Sequence, residues 1–291
     1  MTVLVFGGSG QIGRLLVPLL HASGMQIRVA TRSKEFAATL PIGVEAVIAD
    51  MDDPASLRRA FEGVETVFLL VAHDPLETQR GLVTLAVAVE ASCKYIVYLS
   101  NHMSTLSPLV PHAGSKLAIE TAIRYTGIPH TILRPTNFAQ NDLWLKDAIV
   151  AGAYPWPLGD FPVTRVDVRD VAHAAANVLL NPRAHNEAFT LSSLDAPNGE
   201  ETAALWSKAI GHTVVNPNYS PEEFESKMET MMPSWFNFDL LIMNRYFKRY
   251  GCPVDAQDLE AQATLLPDGP RSYASFVEET AAAWRNPQER D

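Results

Sequence analysis

Three residues near the middle of the chain have types that could hold a charged ligand and move a proton. Ser100 closes the apolar run "KYIVYLS", and His112 and Lys116 follow within "HAGSKLAIETAIRYTG". Residues four apart share one face of a helix, so this imidazole and this ammonium would be neighbours. An imidazole can donate a proton near neutrality, and an ammonium can donate to ligand hydroxyls. A plainer role stands beside each of these. His112 could be an exposed residue at a helix start, Lys116 a solvated helix lysine, and His102 an equal rival for any proton role.

A second constellation lies at the start of the chain. "VLVFGGSGQIG" sets Gly7, Gly8, Gly10 and Gly13 between a strand and a helix, with Ser9, Gln11 and Ile12 among them. Small residues there let backbone N–H groups approach a diphosphate, at a helix N-terminus whose dipole favours negative charge. The strand–turn–helix setting makes the motif specific for a dinucleotide. The second strand ends "VATRSKE", with Thr31 and Arg32 and no carboxylate before Glu35. A carboxylate would serve a free ribose 2′-hydroxyl, whereas a guanidinium can bind a 2′-phosphate. NADP(H) is therefore expected in preference to NAD(H). Asp50 and Met51 follow the third strand; Asp50 either accepts from an adenine amino group or caps the helix that starts near Pro54. Leu70, Val71 and Ala72 end the fourth strand, where backbone and apolar contacts to the dinucleotide are expected.

The elements that must position these residues alternate strand and helix. "TVLVF", "QIRVAT", "VEAVIAD", "VETVFLLV", "KYIVYLS" and "PHTILRP" read as strands. "QIGRLLVPLLHAS", "DDPASLRRAFEG", "ETQRGLVTLAVAVEAS" and "HAGSKLAIETAIRYTG" have helical period. Strands apolar along their whole length belong in a sheet covered on both faces. The expected fold is thus α/β, a doubly wound parallel sheet over residues 1–135. From residue 136 to 291 the chain reads as a smaller, mainly helical lobe, with segments near 160–195 returning to the first domain. "NDLWLKDAIVAG" reads as one helix. Trp144, Tyr154, Trp156 and Phe161 could line a cleft, and the aromatic stretch "MMPSWFNFDLLIMNRYFKRYG" reads as lobe core, lid or interface.

Composition excludes several classes. The chain has 291 residues, 47% hydrophobic and 19% charged, with a net charge of −10. Such acidity disfavours a phosphate-backbone surface, so no nucleic-acid partner is expected. No run approaches the ~20 apolar residues of a membrane span, and no leader peptide is visible. Cys93 and Cys252 stand alone, without metal-binding spacing, which fits reduced packing residues, no metal site and a cytoplasmic location.

"GGSGQIGR", "ATRS", "GVEAVIADMDDPASLRRAFEGVETVFLL", "SKLAIETAIRYTGIPHTILRPTNFAQND" and "RVDVRDVA" resemble the NmrA-like branch of the atypical short-chain dehydrogenase/reductases. The resemblance covers most of residues 1–180. It implies a Rossmann domain binding NADP(H) and a small lobe shaping a substrate cleft. It also places Asn137 and Phe138 near the nicotinamide and Lys116 on its ribose hydroxyls. In the parent superfamily a Ser, a Tyr and a Lys act together, the last two spaced Y-x-x-x-K. Ser100, His112 and Lys116 occupy those places, with histidine where the tyrosine stands. The branch holds quinone, dye and isoflavone-type reductases, and also regulators that bind the dinucleotide without turnover.

Loss of the tyrosine bears on which reaction is expected. A simple ketone needs an acid at the developing alkoxide. A quinone, enone or cationic dye mainly needs hydride held ~3–3.5 Å from an electrophilic carbon. The leading expectation is an NADPH-dependent reductase of a small, planar, electron-poor acceptor. A dinucleotide-sensing module and a non-redox enzyme with a held cofactor are the alternatives, and a homo-oligomer is compatible with any of them.

Overall fold

The structure is a computed structural model that describes residues 2–181 and 186–285. The chain divides into two compact units. The first comprises Met1–Pro135, Val168–Leu191 and Glu260–Pro267; the second comprises Thr136–Asp167, Ser192–Leu259 and Asp268–Asp291.

The first unit is built on β1 (Thr2–Val5), β2 (Gln26–Thr31), β3 (Glu45–Ile48), β4 (Thr66–Leu69), β5 (Tyr95–Leu99), β6 (His130–Pro135) and β9 (Glu187–Leu191). They form one sheet in the order β3-β2-β1-β4-β5-β6-β9, with every pairing parallel. Strands β4 and β5 are buried at every residue, as a sheet covered on both faces requires. Its helices are α1 (Gln11–Ala22), α2 (Lys34–Ala37), α3 (Pro54–Phe61), α4 (Glu77–Glu90), α5 (Met103–Leu106), α6 (Pro111–Thr126) and α8 (Val168–Leu180). Helix α1 packs on α8, and α4 on both α3 and α6. Strand order reverses beside β1, so the carboxyl ends of β1 and β4 flank a crevice, the usual ligand position in such sheets.

Local sequence accounts for the helix limits. Asp53 caps α3 by accepting from Ala55 N at 3.0 Å, with Pro54 in the first turn. This corrects the capping alternative for Asp50, which lies too far upstream of Pro54 to serve the first amides. Its Oδ1 instead accepts from Asp52 N at 3.0 Å, closing the turn before the helix. Helix α6 ends at Gly127 in the left-handed region, φ 69°, where glycine avoids a Cβ clash.

The second unit holds β7 (Asn137–Phe138), paired in parallel with β8 (Arg165–Val166). With them are α7 (Lys146–Val150), α9 (Gly199–Ile210), α10 (Pro221–Met228), α11 (Ser234–Tyr250) and α13 (Tyr273–Arg285); α12 (Ala256–Ala263) spans the unit boundary. The single helix expected over "NDLWLKDAIVAG" is two pieces, a 3-10 segment Ala139–Leu145 followed by α7. Asn141 Nδ2 donates to Asn137 Oδ1 at 2.8 Å, and Asp142 is drawn inward by Tyr154 and Trp206. These ties hold the first turns in the tighter winding. Tyr154 and Trp156 are buried in this unit, while Trp144 and Phe161 are about half exposed.

No described helix is long and apolar enough to cross a membrane. Both cysteines are free and buried. Burial pushes the Cys252 thiol up to about 12 and raises that of Cys93. Neither is expected to react with iodoacetamide in native, mildly alkaline protein, and both should react once guanidinium unfolds it. Mass spectrometry of the alkylated protein checks this.

Candidate functional site

The turn after β1 is shaped by backbone crowding that only glycine tolerates. Gly7 has φ +75°. A Cβ on Gly13 would lie 2.2 Å from Gly7 O and 2.5 Å from Gly8 Cα. Helix α1 thus starts directly against the turn. Gly10 N donates to Gly7 O at 3.0 Å, and no side chain caps the first amides of α1. Uncapped amides at a helix start, beside a positive-φ turn, are the arrangement that receives an anion. Arg14 braces the loop from outside by donating to Ser9 O at 2.9 Å.

An open cleft lies against this turn. Its walls come from the carboxyl ends of successive strands: Gly7 and Ser9 after β1, Thr31 and Arg32 at β2, Asp50 and Met51 after β3, Leu70 and Ala72 after β4. Eight of the residues expected from sequence to hold a dinucleotide therefore line one cleft. Gly10, Gln11, Ile12 and Gly13 begin α1; Ile12 and Gly13 are buried, Gln11 is exposed. Val71 is 2% exposed and belongs to the apolar core rather than to the cleft wall.

The rim chemistry favours an anion at β2. Arg32 is exposed there. Glu35, the first carboxylate after the strand, accepts from Ser33 Oγ at 2.8 Å. Its carboxyl is held below the usual range by backbone hydrogen bonding and by Ser33, so it is engaged at the start of α2. Arg80 also lines the cleft, a residue that sequence reading passed over. Its guanidinium is fixed by Asp52 at 2.6 Å and Asp74 at 2.8 Å. Both carboxyls are held below their ordinary value, Asp52 first by the Arg80 hydrogen bond and Asp74 first by Leu76 N. No local motif marks Arg80, because its partners lie in two other segments.

The second constellation forms on α6. His112, Lys116 and Glu120 recur at four-residue spacing and so share a face. His112 is half-buried, its ring 5.0 Å from that of His73. Lys116 Nζ lies 2.6 Å from Glu77 Oε1 and 5.9 Å from the Tyr98 ring centre. Ser100 is 2% exposed, and its Oγ donates to Glu120 Oε1 at 2.5 Å. Arg134 clamps the same carboxylate through both oxygens, at 3.0 and 2.5 Å. The Ser100 proton is thereby committed to Glu120. Burial, then Glu77 and Glu120, raise the Tyr98 phenol well above its ordinary value, so it stays protonated. The rival His102 is buried, with Nδ1 3.4 Å from Thr190 Oγ1.

Asn137 and Phe138 lie in the second unit, on β7, both half-buried. The Asn137 amide oxygen is taken by Asn141, which leaves its NH₂ as the group it could offer.

The sequence profile of the NmrA-like family matches residues 1–277. An NAD(P)H azoreductase of Xenophilus azovorans is 30% identical over 290 residues, 97% of this chain and 99% of its own length. The triphenylmethane reductase of Citrobacter sp., solved as an NADP(H) complex, is 26% identical with a TM-score of 0.85, covering 97% of this chain and all of that one. An NADPH-dependent quinone oxidoreductase from Escherichia coli, solved with NADPH, superimposes with a TM-score of 0.88 at 23% identity, over 96% of this chain and 99% of its own, a likeness of fold.

Proposed function

The chain belongs to the NmrA-like family, and on that premise we propose that it is an NADPH-dependent reductase of a small, planar, electron-poor acceptor such as a quinone, enone or dye. The observation that carries this reading is the glycine-floored cleft with Arg32 at the end of β2 and the nearest following carboxylate, Glu35, tied to Ser33. Those residues fit a dinucleotide bearing a 2′-phosphate. The crowded Gly13 leaves the amides of Gln11 and Ile12 at the start of α1 to meet the diphosphate, the Gly10 amide being held by Gly7 O inside the turn. Arg32 takes the 2′-phosphate, Asp50 accepts from the adenine amino group, and Met51, Leu70 and Ala72 give backbone and apolar contact. Lys116 donates to the nicotinamide ribose hydroxyls.

When bound, the reduced dinucleotide supplies hydride. The chain's own part is to position the acceptor and complete the proton balance. With the Ser100 proton committed to Glu120 and histidine in the tyrosine's place, little remains to polarise a ketone oxygen. His112 is half-buried beside His73 and can pass a proton to the reduced product and recover one from water. That division of labour suits acceptors already electrophilic at carbon, whose proton need not arrive in the hydride step.

The test follows NADPH absorbance with purified protein and a panel of para-quinones, enones and cationic triarylmethane dyes. Turnover of at least one class is expected. Arg32→Ala should weaken NADPH by about tenfold, the loss of a charge-assisted phosphate contact, and leave NADH within about twofold. Tight NADPH binding without oxidation across the panel would overturn the reductase in favour of a dinucleotide sensor. An Arg32→Ala variant with unchanged NADPH affinity would overturn the 2′-phosphate assignment.

A further inference from the structure

We infer that Glu77 is the positioning residue of Lys116, fixing the ammonium that the proposed function places on the nicotinamide ribose. The role rests on that reading of Lys116 and adds a residue to it. Glu77 is the first residue of α4, and its side chain is fully buried. Its Oε1 accepts from Lys116 Nζ at 2.6 Å, while Oε2 has no partner among the described residues. The Tyr98 hydroxyl on the neighbouring strand is likewise buried and unpartnered. A buried ion pair rarely adds stability over an apolar pair of equal volume, and a half-satisfied one less still. A purely structural account of Glu77 is therefore weak.

Geometry supplies the other account. The Cβ that Gly81 lacks would fall 2.5 Å from Ile119 Cδ1, so α4 and α6 meet at closer range than any other residue would allow. Gly81 stands one turn beyond Glu77, and Ile119 one turn beyond Lys116, so that contact brings carboxylate and ammonium together. The Lys116 ammonium also lies 5.9 Å from the centre of the Tyr98 ring on β5. The Lys116 side chain keeps 13% of its surface exposed, while Glu77 keeps none. An ammonium has three donors; one is spent on Glu77, and the others remain for a ligand. Glu77 itself, sealed from solvent, acts only through Lys116. His112 one turn before Lys116, His73 beside it, and Glu120 one turn after are the other titratable groups along this face of the unit.

The experiment is a double-mutant cycle read by NADPH fluorescence titration, with 2′,5′-ADP as a probe of the adenosine half alone. Glu77→Gln keeps the side-chain shape and removes the charge. It should weaken NADPH about tenfold and raise its KM with little change in kcat, while 2′,5′-ADP stays within about twofold. On a Lys116→Met background the Glu77→Gln change should have no further effect on NADPH, because its influence passes through the ammonium. Should Glu77→Gln not fold, Glu77→Asp, which withdraws the carboxylate by one methylene, carries the same expectation with a smaller factor. Additive losses, or equal losses for NADPH and 2′,5′-ADP, would overturn the role and leave Glu77 structural. A wild-type protein that bound neither probe would overturn the cofactor reading, and this role with it. Wild-type binding of both, with Glu77→Gln indistinguishable from it, would overturn the Glu77 role alone.

Discussion

Gly13→Ala is expected to abolish cofactor binding and to cost about 3 kcal/mol of stability, at the upper end of overpacking effects. The reason is what the new methyl would meet. Gly7 O at 2.2 Å, Gly8 Cα at 2.5 Å and Gly7 C at 2.8 Å are all backbone atoms of the turn itself. No flexible side chain can swing aside, so either the turn or the start of α1 must move. Movement of either one pulls the amides of Gln11 and Ile12 out of register with the turn, and NADPH affinity should fall by at least about a hundredfold. Two neighbouring substitutions calibrate this. At Gly10 the Cβ would sit 3.3 Å from Gly7 O, a contact that small shifts relieve. At Gly24, φ is +80° with nothing within 4 Å, so alanine there meets only backbone strain of about 1–2 kcal/mol. Gly24→Ala should therefore melt lower yet bind NADPH normally. Urea unfolding and fluorescence titration of the three variants separate strain from loss of the site. A Gly13→Ala protein that binds like wild type would remove the turn from the cofactor account.

The glycine turn, Arg32 and the strand ends were legible because each depends on neighbours a few residues away, and a strand–turn–helix sequence fixes them locally. Strand and helix types were legible for the same reason, since fully apolar strands signal a sheet covered on both faces. The Asp50 capping alternative failed on a detail of register, the cap being the residue just before Pro54. Glu77, Glu120 and Arg80 were not legible in their roles. Glu77 begins α4 and meets a lysine on α6; Arg80 meets Asp52 and Asp74. Such pairings depend on how helices dock, which no local spacing encodes. Tyr154 and Trp156 qualify as cleft candidates by aromatic type, yet both are core of the second unit. Residue type alone does not distinguish a ligand wall from packing.

Part of the family-like sequence serves that core, and there the second large effect is expected. "NFAQND" supplies Asp142 and "RVDVRDVA" supplies Arg165, and the two meet inside one buried network. Asp142 accepts from Tyr154 Oη at 2.9 Å, from Trp206 Nε1 at 3.2 Å and from Tyr273 Oη. Arg165, 0% exposed, donates to Tyr154 Oη and Thr202 Oγ1, both at 3.2 Å, and stacks 4.1 Å from the Tyr273 ring centre. Burial, and then Asp142, raise both phenols, so they stay protonated and donate to the carboxylate. Burial disfavours the Arg165 charge, but Tyr273, Tyr154 and Asp142 outweigh it and keep the guanidinium protonated. Two tyrosines thus sit between opposite charges: both donate to Asp142, while Tyr154 Oη accepts from Arg165 and Tyr273 offers it the face of its ring.

Asp142→Ala strands the Tyr154 and Tyr273 hydroxyls, leaves Trp206 Nε1 only Tyr273 Oη at 3.1 Å, and removes the negative partner of a fully buried guanidinium. The expected loss is about 4 kcal/mol, the scale for breaking one side of a buried charge pair. Arg165→Met should cost less, about 2 kcal/mol, because the carboxylate keeps its three donors and methionine fills much of the volume. The double variant should recover part of the Asp142→Ala loss, since removing both charges leaves neither uncompensated. Because these residues all lie in the second unit, 2′,5′-ADP affinity should be unchanged wherever the variants remain folded. Urea unfolding followed by tryptophan fluorescence reads the network directly, Trp206 being a member stacked 4.9 Å from Trp284. Equal losses for the two single variants, summing in the double, would mean that the tyrosines do not couple the charges.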